Sequence, residues 1–309
     1  MEYSKILVTG ATGFIGAHVV ENLLSRGIHV RAAARSKSKG HALLDSHPPS
    51  IRTLLEVVYI ADLAAPGVFD TAVQGVDAVI HVASPLDYSV KNKEKELIIP
   101  AINGVRSLFQ AAARGNVKRI VLTSSFGAVL DMTRPFETAY TYTSADWNPI
   151  TYAEAVDSNA TPQDAYRGSK KFAEQEAWRF IREEKPKFDL VVMCPSMVFG
   201  PVAGKLASVD GLGESDRMLW KVVSGGELPP ARFNFWVDVR DLAECHVRAL
   251  VTREAGGKRY LPMPEEKFSY QRAREIIRIN KFDELLLNEE GYSEELAKAG
   301  FVKRYDQKV

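Results

Sequence analysis

Ile6-Leu7-Val8-Thr9-Gly10-Ala11-Thr12-Gly13-Phe14-Ile15-Gly16 is the stretch on which the reading of this chain turns. Ile6-Leu7-Val8 is a short apolar run, the pattern of a buried strand. From Phe14 to Arg26 apolar residues recur at helical spacing, and Gly27 follows as a stop. Glycines at 10, 13 and 16 lie across the junction. One glycine allows a tight turn, another lets backbone approach a pyrophosphate, and the last lets helix pack on strand. The first gap is two residues, so the spacing is not G-x-G-x-x-G, but the same physics applies. The helix N-terminus beyond the turn is suited to phosphates.

The same alternation continues along the chain. Further strands are expected at His29–Ala34, Val57–Ile60, Ala78–Ala83, Arg119–Thr123 and Leu190–Met193, with helices at Ile98–Gly115 and Asp164–Glu184. Strands separated by helices predict an α/β fold with a doubly wound parallel sheet covered on both faces. Between Phe126 and Ala165 the pattern is poor and punctuated by Pro135, Pro149 and Pro162. A loop that long in a compact domain is commonly functional. After Pro201, glycines and prolines break the chain again. The expected division is a dinucleotide-binding domain over 1–200, rejoined by 233–260, and a smaller C-terminal substrate lobe from 201–232 and 261–309.

Bulk properties exclude several classes. The chain has 309 residues, is 46% hydrophobic and carries a net charge of +1. It has no long basic run, so nucleic acid is not an expected partner. Cys194 and Cys245 are too few for a disulfide framework and fit a reducing compartment. No signal-peptide pattern and no run of about 20 apolar residues is present. A soluble, cytoplasmic protein is expected, with no membrane partner. Oligomeric state is left open. No His/Cys/Asp/Glu spacing suggests a metal.

Tyr166 and Lys170 stand one helical turn apart in Ala165-Tyr166-Arg167-Gly168-Ser169-Lys170. A neighbouring ammonium favours tyrosinate, so the pair is expected to bring the phenol toward working pH, as a proton donor or acceptor. The strand Arg119–Thr123 ends in Ser124-Ser125, whose hydroxyls would reach the same edge and polarise a carbonyl oxygen. At the end of the second strand, where NAD enzymes carry a carboxylate, stands Arg35, 19 residues after Gly16. A guanidinium there suits a 2′-phosphate, with Lys37 or Lys39 assisting, and predicts NADP(H). Asp62-Leu63 and Val82-Ala83-Ser84 follow the third and fourth strands and should border the cofactor.

These residues together resemble the extended short-chain dehydrogenase/reductases. Leu122-Thr123-Ser124-Ser125, Trp147-Asn148-Pro149, Pro195-x-x-Val198-Phe199-Gly200-Pro201 and Val237-Asp238-Val239-Arg240-Asp241 narrow the likeness to the dihydroflavonol 4-reductase-like branch, and the wording is closest to fungal aldehyde, ketone and methylglyoxal reductases. The resemblance covers residues 4 to 262. It implies a Rossmann-type fold, Ser125 as the catalytic serine, Tyr166 as the acid and Lys170 as its partner. It further implies cofactor contacts at Gly10, Thr12, Gly13, Phe14, Ile15, Gly16, Arg35, Lys39, Asp62, Leu63, Val82, Ala83, Ser84, Tyr166, Lys170, Pro195, Val198 and Ser215. Two departures stand out. Ala101 occupies the turn where many members carry a proton-relay Asn, with Asn103 displaced from it. The segment after Tyr270 has no clear counterpart.

Leu86, Asp87, Tyr88, Phe126, Met197, Phe199, Leu206 and Trp220 are the candidates for substrate contact, in a mainly apolar pocket. Phe235 and Trp236 lie near the same mouth. Asp238 and Asp241, flanking Arg240, are expected to tie the lobe to the sheet. The expected activity is NADPH-dependent reduction of an aldehyde or ketone on a hydrophobic small molecule, such as a polyketide-like secondary metabolite. A nucleotide-sugar epimerase or dehydratase, or a non-catalytic NADP sensor, are the alternatives. The first would favour a carboxylate at Arg35 and acid/base groups where Phe126-Gly127-Ala128 stands.

Overall fold

A computed structural model describes residues 3–85, 89–134, 140–203, 209, 212–224 and 234–279. Nine strands lie among them: β1 Lys5–Thr9, β2 His29–Ala34, β3 Leu55–Tyr59, β4 Ala78–His81, β5 Arg119–Thr123, β6 Asp189–Met193, β7 Met197–Phe199, β8 Trp236–Asp238 and β9 Lys258–Tyr260. The helices are α1 Phe14–Ser25, α2 Lys37–Asp45, α3 Pro49–Arg52, α4 Ile99–Arg114, α5 Tyr152–Val156, α6 Pro162–Glu184, α7 Glu214–Val223, α8 Val239–Val251 and α9 Tyr270–Ile279. A π-helical turn, Glu94–Ile98, leads into α4.

Seven strands form one parallel sheet in the order β3-β2-β1-β4-β5-β6-β9. Chain order runs outward from β1 to β3, returns to β4 beside β1, and runs outward again. The reversal falls between β1 and β4, where open α/β sheets bind ligands at their carboxyl ends. The expected six strands are present; the third begins two residues earlier than expected and ends one earlier, and the fourth ends two residues earlier, at His81. β9 was not expected, because Lys-Arg-Tyr has no apolar run. β7 and β8 pair in a separate parallel ribbon.

Alternation along each strand divides the core. Leu7, Val79, Ile120 and Val192 face a layer with Leu108, Phe109, Ala177 and Phe180 from α4 and α6. Ile6, Val8, Ile80, Val121 and Val191 face Val19 and Leu23 of α1 and Val247 and Leu250 of α8. α7 and α9 pack on each other, and Phe268 lies tilted on Phe199 and edge-to-face with Tyr270.

At the amino edge a buried cation fastens three elements. Arg119, 1% exposed, holds Asp189 through Nε and Nη2, each at 2.7 Å. Its Nη1 donates to Ala249 O at 2.7 Å and Leu250 O at 3.2 Å, closing the C-terminus of α8. Those carbonyls would otherwise lack partners. Arg119→Met should therefore lower stability by roughly 1–3 kcal/mol, mainly because the helix-end carbonyls lose their donor, while Asp189, 42% exposed, is met by water. Urea unfolding followed by circular dichroism measures the loss.

Candidate active site

Backbone contact builds the phosphate turn. Gly10 has φ of +67°, and a Cβ there would stand 2.8 Å from Ala83 N. A Cβ on Gly16 would lie 2.0 Å from Gly10 O, so α1 approaches the turn too closely for any side chain. Gly13 differs: its Cβ would meet only Gly10 O, at 3.3 Å. Its protein surroundings leave an open face of backbone at the head of α1. That N-terminus has no side-chain cap and no acidic residue in its first turn. An uncapped, acid-free helix start is receptive to an anion.

Other residues predicted at the cofactor are drawn to the same carboxyl edge. Val82 N donates to Thr9 O, and Ala83 N donates to Thr9 Oγ1, which holds the end of β4 against the glycine turn. Ser84 follows directly. Arg35 and Lys39 are exposed beyond β2, and neither side chain forms an ion pair among the described residues. Ser36 between them caps α2 by accepting from Lys39 N. Asp62 is exposed, and its Oδ1 accepts from Ala64 N at 2.9 Å, so one oxygen closes a local turn. Leu63 packs beside Gly104 of α4. Phe14, Ile15 and Val198 join one apolar cluster with Val237, Val239 and Leu242. Pro195 O accepts from Phe126 N at 2.7 Å, and Ser215 lies in the first turn of α7.

Ser125, Tyr166 and Lys170 converge from β5 and α6. Ser125 Oγ accepts from Gly127 N at 3.0 Å and shares a hydrogen bond with the Tyr166 hydroxyl. Thr161 and Pro162 start α6, earlier than the expected Asp164, and Thr161 Oγ1 accepts from Asp164 N. Gly168 in the same stretch is demanded by α5, since its Cβ would lie 2.4 Å from Ala155 Cβ. Lys170 is 7% exposed and donates to Thr123 O at 3.4 Å.

The electrostatics differ from expectation. Burial pushes the Tyr166 phenol above the ordinary tyrosine value, and the Ser125 hydrogen bond opposes this. Lys170 does not bring the phenol down. Its own ammonium is lowered to about 8, chiefly by burial; the Glu174 carboxylate favours the charged form, whereas Cys194, a neutral thiol at this pH, lends it no charge. The phenol therefore carries its proton at neutral pH.

Sequence reasoning missed four supporting side chains. His81, buried at the end of β4, lies 2.7 Å from Thr9 Oγ1 and is pushed to about 3 by burial and the Lys170 charge. His246 Nδ1 donates to Leu242 O, so its Nε2 accepts from Thr123 Oγ1 at 2.7 Å, steadying the residue that binds Lys170. Glu174 and Arg259 form a buried pair at 2.5 Å. Single histidines and one Glu in an acidic-basic helix carry no periodic signal. A small cavity of about 20 Å³ lies behind Lys170, lined by His81, Ala101, Gly104, Thr123, Lys170 and Glu174.

Among the proposed substrate contacts, two are corrected. Phe126 is 1% exposed, edge-on to Tyr142 and Phe235, and supports the serine turn from the core. Phe199 is 5% exposed, packed on Trp236 and Phe268. Neither presents surface to a ligand. Met197 and Trp220 are half-buried. Leu86, Asp87, Tyr88 and Leu206 lie outside the described residues. Arg240 also departs from expectation. It pairs with Asp238 through Nε at 2.9 Å and Nη2 at 2.6 Å, while Asp238 caps α8, so the pair is local to one helix start.

The chain belongs to the NAD dependent epimerase/dehydratase family, whose pattern it matches over residues 6–261. Within it, the chain is 36% identical over 284 residues to ketoreductase azaE of Aspergillus niger, covering 89% of this chain and 81% of that one. It is 34% identical over 284 residues to the NADPH-dependent methylglyoxal reductase GRE2 of Saccharomyces cerevisiae, covering 88% and 81%. The crystal structure of Gre2 in complex with NADPH from Candida albicans superposes with a TM-score of 0.81 at 30% identity, over 98% of this chain and 90% of that one. No helix among the described residues is long and apolar enough to cross a membrane.

Asp216 of α7, one residue from Ser215, supplies a stability test of this region. It is fully buried, and among the described residues neither carboxylate oxygen has a hydrogen bond of full geometry, the Gly200 amide lying only within weak electrostatic reach. Burial raises it to about 7, the Asp238 charge adds to the effect, and the Gly200 backbone amide opposes it. A raised acid stabilises the fold below its unfolded value of 3.8, and that contribution is lost as pH rises through about 7. Asp216→Asn should thus match the parent at pH 4 and exceed it at pH 8 by roughly 1–3 kcal/mol, read from thermal unfolding at both pH values.

Proposed function

We propose that this protein is an NADPH-dependent reductase of aldehydes or ketones carried on small apolar molecules. The observation that carries this reading is the shared hydrogen bond of Ser125 and Tyr166, with Lys170 one helical turn away, at the sheet edge that also holds the open Gly13 backbone. The relatives named above, reductases by name and in one case bound to NADPH, support it.

The residues present fit the dinucleotide. Gly10, Gly13 and Gly16 with the head of α1 would hold its phosphates, and Arg35 with Lys39 would meet a 2′-phosphate. When bound, it supplies the hydride for the carbonyl carbon. Everything else falls to the chain. Ser125 orients the carbonyl oxygen and polarises it by donating a hydrogen bond. Tyr166 then gives its proton to that oxygen as negative charge develops. Burial keeps this proton on the phenol until the oxygen becomes basic enough to take it. The Lys170 ammonium steadies the tyrosinate left behind. Met197 and Trp220, half-buried near this edge, would give the substrate side its apolar character.

An epimerase or dehydratase reading lacks the groups it needs. Arg35 stands where a ribose carboxylate belongs, and Phe126-Gly127-Ala128 offers no further acid or base beside the serine.

Tyr166→Phe should lower NADPH oxidation across a panel of aldehydes and ketones by about 10²–10⁴-fold while leaving NADPH affinity, measured by fluorescence titration, close to the parent's. Unchanged turnover would refute the mechanism. Arg35→Asp should weaken NADPH binding relative to NADH at least about tenfold, read from the two dissociation constants. An unaltered ratio would remove Arg35 from the cofactor site.

A further inference from the structure

α6 carries a third ionisable group on the face of Tyr166 and Lys170. Glu174 follows Lys170 by four residues, and its side chain is completely buried. Five side chains surround it. Arg259 of β9 donates through Nε at 2.5 Å and Nη2 at 3.2 Å. Ser124 Oγ, at the end of β5, donates at 2.6 Å. Trp178 Nε1 donates from the next turn at 3.1 Å, and Cys194 Sγ, after β6, lies at 3.6 Å. Lys170 is the fifth, lining the same small cavity.

The Arg259 guanidinium reaches both oxygens and, like the Trp178 indole N–H, can only donate, so the site is built for a carboxylate. Its placement is costly unless the charge has a use. One use is visible. Lys170 is buried too, and its other neighbours are His81 of β4, Tyr166 of α6 and Thr123 O of β5. His81 is held neutral, and Thr123 O is uncharged. Cys194 is also uncharged at neutral pH, because burial pushes its thiol far above the ordinary cysteine value. Glu174 is thus the anion among the described residues that faces the Lys170 ammonium.

The same carboxylate reaches the serine turn. Ser124 is bonded to Glu174 and precedes Ser125 directly, while Ser124 N donates to Met193 O at 2.8 Å. Arg259 in turn donates to Ser144 O and Asp146 O and stacks on Trp147 at 3.9 Å. Asn148, the next residue, binds Gly127 O at 2.8 Å. One network therefore joins β9, the loop around 144–148, the serine turn and the helix of Tyr166.

We propose that Glu174 is a positioning residue, whose carboxylate, fixed by Arg259, is the buried counter-charge that keeps the Lys170 ammonium in place and sets the Ser125 turn against Tyr166. This deepens the reductase reading and rests on it for its catalytic consequence. Without Glu174, Lys170 loses its anion and gives up its proton at lower pH. The tyrosinate formed on proton transfer is then unsupported.

The test compares Glu174→Gln, Glu174→Asp and the double variant Glu174→Gln/Arg259→Met, using the full chain, NADPH and a carbonyl that the parent reduces. In Glu174→Gln the alkaline limb of log kcat/KM should move to lower pH by about one pH unit, and Glu174→Asp should recover part of that movement. The double variant removes both buried charges. It should regain thermal stability yet keep the displaced limb, which a purely structural role would restore. Superimposed parent and Glu174→Gln profiles, or a restored limb in the double variant, would overturn the proposal. A readout without turnover is the Lys170 ammonium titration by 15N NMR, assigned with Lys170→Arg. It should fall in Glu174→Gln, and an unchanged titration overturns the proposal whatever the enzyme does. Failure of the reductase reading shows itself separately, as a parent inactive on every carbonyl or an active Tyr166→Phe.

Discussion

Lys170 is an ammonium 7% exposed at the carboxyl edge of a parallel sheet, and much of the neighbouring structure answers to that charge. A buried cation is unfavourable in proportion to its desolvation, and here burial outweighs the favourable Glu174 charge and lowers it to about 8. The end of β5 meets it with a carbonyl, at Thr123 O. His246 from α8 fixes that residue by its hydroxyl. β4 contributes His81, which stays neutral chiefly because it is buried, with repulsion from the Lys170 ammonium adding to the effect. β9, a strand of three residues at the sheet edge, brings Arg259 to hold Glu174. Elements far apart in the chain thus meet around one side chain.

The glycine turn obeys a different constraint, one of backbone contact. Gly16 allows α1 to press on Gly10 O, and Gly10 allows the turn to press on Ala83. These contacts fasten the end of β1 to the end of β4, on either side of the point where strand order reverses. Gly13 has no such crowding from protein atoms. Its missing side chain makes room on the outer side, where an anion would sit. The three glycines therefore separate into two that serve packing and one that leaves space.

What the sequence discloses is what repeats or what breaks repetition. Strand and helix alternation, the glycine spacing and the four-residue interval from Tyr166 to Lys170 are local patterns, and the sheet follows from them. β9 escaped because Lys-Arg-Tyr at a sheet edge has no hydrophobic period. Glu174 escaped because a Glu in a charged helix is ordinarily solvated, and only its burial by Ser124, Trp178 and Arg259 reveals it. Phe126 misled for the opposite reason. Its place beside Ser125 suggests a ligand contact, but the single 3-10 turn Phe126–Ala128 after β5 turns its ring inward, against Tyr142 and Phe235. Adjacency in sequence said little about which way the ring faces.

The direction of the Tyr166 shift also could not be read from residue spacing. An ammonium one turn away argues for an acidified phenol, but desolvation acts on both groups and opposes ionisation of each. Here desolvation wins on the tyrosine. A phenol that keeps its proton at neutral pH is ready to donate to a carbonyl oxygen. A positive Lys170 contributes most after the transfer, when tyrosinate needs a partner. The family to which the chain belongs takes its name from epimerisation and dehydration, yet Arg35, which forms no ion pair among the described residues, stands where a ribose carboxylate would be, and Phe126-Gly127-Ala128 adds no acid or base beside the serine. The same fold supports either chemistry, and a few side chains at one sheet edge decide between them.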